Sequence, residues 1–144
     1  FISVVDEELI PTGAIRHVAG TPFDFRGLRA VRLPGPDNEP FRYDQNFMLR
    51  SRSGDLRLAA TVRSPKNGLH MRVFTTEPCI QFYDGVKMNP PVAGLGGVKY
   101  GARGGLCLEP QNVPNSPNMA HFPDPVLRPG QIYRQTTDYR FEQH

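Results

Sequence analysis

Residues 56–77 read LRLAATVRSPKNGLHMRVFTTE. Leu56, Leu58, Ala60 and Val62 alternate with polar neighbours, and so do Leu69, Met71, Val73 and Thr75. A two-residue period belongs to strands, because successive side chains leave a pleated backbone on opposite sides. Between the two runs stands SPKNG, residues 64–68. Its Asn67-Gly68 pair is the strongest short hairpin signal, since both residues tolerate a positive φ. The stretch predicts two adjacent antiparallel strands, 56–64 and 69–77, each with one face buried.

Working outward, the same reading extends along the chain. Strands are expected at 42–50 (RYDQNFMLR), 79–84 (CIQFYD), 104–109 (GGLCLE) and 131–141 (QIYRQTTDYRF). No window of eleven residues sustains a helical stripe, and no internal repeat is present. Residues 20–40 read as loop, with at most a short helical turn over 26–31. Residues 112–129 hold Pro114, Pro117, Pro123, Pro125 and Pro129, which predicts an extended surface loop. Loops of that length usually line a site.

Composition agrees with an all-β chain. The 144 residues include 14 Gly and 15 Pro, punctuation too frequent for long helices. The length suits a single domain, or part of one, over 1–144. Net charge is +3 with basic residues scattered singly, so no nucleic-acid arm is expected. No apolar run reaches the roughly 20 residues of a membrane helix, and no membrane partner is expected. Cys79 and Cys107 sit in apolar stretches and read as small buried hydrophobes; a disulfide between them stays open. His17, His70, His121 and His144 lack mutual metal-ligand spacing and read as solvated. The chain starts at Phe1 inside an alternating pattern, so a missing N-terminal portion is expected. The working expectation for location is cytoplasmic.

Six segments carry a resemblance. IPTG (10–13), TPFDFR (21–26), YDQNF (43–47), TTEPCIQFYDG (75–85), GLCLEPQNVPNSPN (105–118) and VLRPGQIYR (126–134), in this order, resemble the C-terminal half of galactose mutarotases, the aldose 1-epimerases. The resemblance implies an antiparallel β-sandwich of the galactose mutarotase type, of which this chain forms roughly the C-terminal half. It implies a sugar-sized cleft on one sheet, a monosaccharide substrate, and neither metal nor cofactor. The two active-site histidines of the family lie in its first half and have no counterpart here.

The chemistry implied is anomer exchange. A base takes the C1 hydroxyl proton, an acid protonates the ring oxygen, the ring opens, and it recloses on the other face. From the residues alone, Glu109 is either a solvated strand-end carboxylate or a base. Flanked by Leu108 and Pro110, it should lose solvation, which disfavours its charged form. The resemblance of GLCLE to the family's motif implies that it is the base. Asp44 reads as an Asx-turn residue or a hydroxyl acceptor; the resemblance favours sugar binding. Gln45 stands where the family has His. Gln81 carries both donors and an acceptor and bridges neighbouring hydroxyls in the resemblance. Tyr83 shares its face, yet Phe82 and Tyr83 both read as core. Asp84 replaces a usual Thr, so the loop after it is expected to differ. Glu77 and Asn115 read as structural.

Two other readings compete. One is a non-catalytic carbohydrate-binding or regulatory sandwich. The other is an epimerase of hexose 6-phosphates, with Arg26, Arg29 and Arg32 as phosphate partners.

Overall fold

In the computed structural model, residues 1–31, 35, 39–50 and 54–143 are described. Arg32 and His144 lie outside them. Eight strands form: β1 (Ile2–Val5), β2 (Pro11–Arg16), β3 (Asp44–Met48), β4 (Arg57–Arg63), β5 (Leu69–Thr75), β6 (Cys79–Tyr83), β7 (Cys107–Gln111) and β8 (Thr137–Gln143). Two single 3₁₀ turns, Leu95–Gly97 and Ser116–Asn118, complete the regular structure among the described residues. No helical turn forms over residues 26–31. Among the described residues, no helix is long and apolar enough to cross a membrane.

All pairing is antiparallel. A five-stranded sheet runs β2-β1-β3-β6-β7, and a three-stranded sheet runs β4-β5-β8. The two face each other across an apolar cleft of about 840 Å³, lined by Phe47, Ile80, Phe82 and Leu108 on one side and by Arg57–Arg63 on the other. The chain is thus an open antiparallel sandwich.

The expected β4–β5 hairpin forms, with Val62 opposite Met71 and Arg63 opposite His70. Its turn places Gly68 at φ 69°, and the Asn67 side chain accepts from the Leu69 N–H. The burial expected of both strands is only half achieved. Val73 and Thr75 are fully buried, whereas Leu56, Leu58 and Leu69 are exposed. The reason is position: β4 is the sheet's edge, is bulged between Leu58 and Ala60, and fronts the open cleft.

β1 and β2 were not among the expected strands. The alternation in residues 1–11 was their signal. The Pro and Gly of IPTG mask β2, but an edge strand tolerates proline because the missing N–H need not pair. β8 begins at Thr137, six residues later than its pattern suggested. The segment before it is tied elsewhere, with Tyr133 Oη donating to Glu77 Oε1 at 2.7 Å.

The apolar face of the large sheet is covered by loop 19–31. Phe23 and Phe25 pack edge-on against Tyr43 and Phe47, and Phe25 also against Phe82. Tyr43 is fully buried and donates its hydroxyl to Pro22 O at 2.9 Å. Burial pushes that phenol above its ordinary pKa, so it remains a donor.

The proline-rich loop does more than run over the surface. Val113 and Phe122 are buried with Cys79, and Met48 and Met119 pack against them. Asn115, at φ 62°, donates to Pro11 O at 3.3 Å, and His121 Nε2 lies 2.8 Å from Gly13 O. Cys79 and Cys107 are both free thiols. Burial pushes the Cys79 thiol up, which keeps it protonated.

Candidate active site

The polar face of the large sheet gathers the residues singled out from sequence. Asn46 pairs with Gln81, and Gln81 pairs with Glu109, across β3, β6 and β7. Directly opposed residues share a face. Asp44, two residues before Asn46, projects to the same side. Gln81 Nε2 donates to Asp44 Oδ1 at 2.8 Å. That bond leaves Asp44 Oδ2 and Gln81 Oε1 as acceptors and the second Gln81 N–H as a donor. The three side chains line one cavity of about 410 Å³ with Ser3, Asn46, Gln111 and Pro114. Its volume suits a monosaccharide.

One expectation about Glu109 is corrected. Leu108 and Pro110 do not desolvate its carboxylate, because strand neighbours point to the opposite face and Leu108 lines the apolar cleft instead. Glu109 is exposed to the cavity side within this chain.

Residues 2–140 match the family profile described as aldose 1-epimerase. The chain belongs to the aldose 1-epimerase family. It is 41% identical over 137 residues to the galactose mutarotase of Mus musculus, covering 95% of this chain and 40% of that protein. Against the aldose 1-epimerase of Escherichia coli (strain K12) it is 36% identical over 143 residues, covering 95% and 41%. The crystal structure of a GalM/aldose epimerase homologue from C. elegans superposes with a TM-score of 0.86 at 34% identity, covering 99% of this chain and 43% of that one. The chain therefore spans about 40% of the length of the curated relatives it matches.

Several further residues fall into place around the cavity. Tyr83 reads as core from sequence but lines the cavity, and its hydroxyl accepts from the Lys87 N–H at 2.8 Å. Phe82 is buried in the aromatic cluster, as expected. Ser3, Asn46 and Gln111 went unnoticed in sequence. Gln111 could have been found two residues after Glu109, where the pleat returns to the same face. The Ser3 hydroxyl is buried with no hydrogen-bond partner among the described residues, and the buried Asn46 amide faces the Cys79 thiol.

Gln45 is buried at the wall of the cavity and donates to the Ser3 carbonyl. Asp84 is buried, accepts from Val86 N at 3.0 Å, and faces Arg103 Nε at 3.5 Å, which fixes the loop after β6. Glu77 is buried beside Tyr133, away from the cavity. Arg26 and Arg29 line the apolar cleft behind the sheet, not the cavity of Glu109. Arg26 is already engaged by Asp24 at 2.7 Å, and its guanidinium holds that carboxyl well below the usual range. Among the described residues, no histidine lines the cavity. Among the described residues, no group of three His, Cys, Asp or Glu side chains is placed to hold a metal.

Proposed function

We propose that this chain is the sugar-binding, base-carrying part of an aldose 1-epimerase that acts on a free hexose of the galactose or glucose type. One observation carries the reading: Glu109, Gln81 and Asp44 stand on three adjacent strands, facing one sugar-sized cavity, with Gln81 already oriented by Asp44.

Glu109 takes the proton from the C1 hydroxyl. As the C1–O5 bond breaks, its electron pair goes to the ring oxygen, which must receive a proton. The aldehyde turns about C1–C2, and the steps reverse on its other face. Asp44 and Gln81 hold the remaining hydroxyls in place during that rotation. The acid is a histidine contributed by residues outside this chain. The same outside portion covers the apolar cleft between the sheets. The hexose 6-phosphate variant finds no support from Arg26 and Arg29, which face the other way.

The test is polarimetry on freshly dissolved α-galactose or α-glucose with the complete protein. Glu109→Gln is expected to abolish the catalysed approach to anomeric equilibrium. Wild-type rates in that variant would refute Glu109 as the base. The isolated 144-residue chain is expected to show no catalysed rate. A robust rate from it would place the acid within these residues. Sugar binding without turnover by the complete protein would instead identify a carbohydrate-binding module.

A further inference from the structure

β7 carries Glu109, and among the described residues β6 is its one strand neighbour. An edge strand is held by one ladder and moves more readily than a central one. A base must nevertheless be held within a fraction of an ångström of the proton it removes. What fixes β7 comes from the opposite sheet. Tyr139, on β8, reaches across and donates its hydroxyl to Leu108 O at 2.8 Å.

The choice of carbonyl matters. Leu108 C=O and the Cα of Glu109 belong to one planar peptide unit. Holding that oxygen fixes the orientation of the plane, and hence the direction in which the Glu109 side chain leaves the strand. On the other side, Pro110 confines the Glu109 backbone to extended conformations. The anchor is set by its own ladder. β8 pairs with β5 in unbroken register from Leu69–Gln143 to Thr75–Thr137, and Tyr139 sits opposite the fully buried Val73.

We infer that Tyr139 is a positioning residue for the base, acting through the Leu108–Glu109 peptide plane and touching no substrate. This rests on Glu109 being the base. The inference separates Tyr139 from Asp44 and Gln81, whose removal weakens sugar binding.

Tyr139→Phe keeps the ring and deletes only the donor. In the complete protein it is expected to lower kcat by roughly three- to tenfold, the worth of one neutral hydrogen bond, with KM unchanged. The Kd of an unreactive sugar lacking the anomeric hydroxyl, 1,5-anhydrogalactitol, stays at its wild-type value. A double-mutant cycle isolates the route: in a Glu109→Asp background, where the shortened side chain already displaces the carboxylate, the Tyr139→Phe change lowers kcat by a smaller factor than in the wild type. A wild-type kcat in Tyr139→Phe overturns the inference. So does an equal loss in the Glu109→Asp background, or a parallel rise in KM and Kd, which mark a general packing role. If Glu109→Gln itself turns over normally, it is the base assignment that fails.

Discussion

Gln81 holds one N–H against Asp44 and offers the rest of its amide to the cavity. Its substitution therefore acts twice, removing a contact and releasing its partner carboxylate. Gln81→Ala is expected to raise KM for the hexose by roughly tenfold while lowering kcat much less, as befits a contact made equally in ground and transition states. Steady-state polarimetry on the complete protein reads both constants. Tyr43 is the contrasting residue, because it works from the opposite face. Its hydroxyl to Pro22 O is buried, so Tyr43→Phe should cost about 1 kcal/mol of unfolding free energy, measured by denaturant titration, and leave KM alone. Ser3 keeps a buried hydroxyl with no partner among the described residues.

Elements place these side chains. The β3–β6–β7 ladder fixes which residues face the cavity, and one step of register would turn Gln81 and Glu109 to the wrong side. The loop after β6 is held at three points. Asp84 accepts from Val86 N and pairs with Arg103, Arg103 N donates to Gly85 O at 2.8 Å, and Tyr83 Oη accepts from Lys87 N. Asp84→Ala leaves the mostly buried Arg103 without its carboxylate. It is expected to destabilise the complete protein by roughly 3 kcal/mol, seen as a lower denaturant midpoint. The substitution in the family pattern at Asp84 was visible in sequence; its compensation by Arg103, nineteen positions on, was not. The proline-rich loop likewise announced itself by length, but its anchoring through Val113 and Phe122 on Cys79 depends on side chains that meet only in the fold.

At the scale of the whole molecule, the sandwich is open. Leu58, Tyr139 and Phe141 remain exposed, and the cleft between the sheets is lined mainly by apolar groups. Apolar surface of this extent is stable in water only when something covers it. The isolated chain is expected to bind the dye ANS strongly and to self-associate, whereas the complete protein shows neither, by fluorescence and light scattering. The span of about 40% of its relatives' length accords with that expectation.

Alternation and turn residues were enough to fix an all-β chain, the β4–β5 hairpin and the cores of β3, β6 and β7, because strand period and Asn-Gly turns are local properties of the backbone. Six ordered motifs were enough for the family, and for Glu109, Asp44 and Gln81 as the residues to examine. Everything that depends on which strands become neighbours was decided by the tertiary structure. It set Glu109 in line with Gln81 and Asn46, and it turned Leu108 and Pro110 away from the carboxylate they were expected to cover. It also sent Arg26 and Arg29 behind the sheet and brought Tyr139 onto the peptide that precedes Glu109. Those outcomes rest on pairing between residues far apart in the chain, and no window of sequence contains both partners.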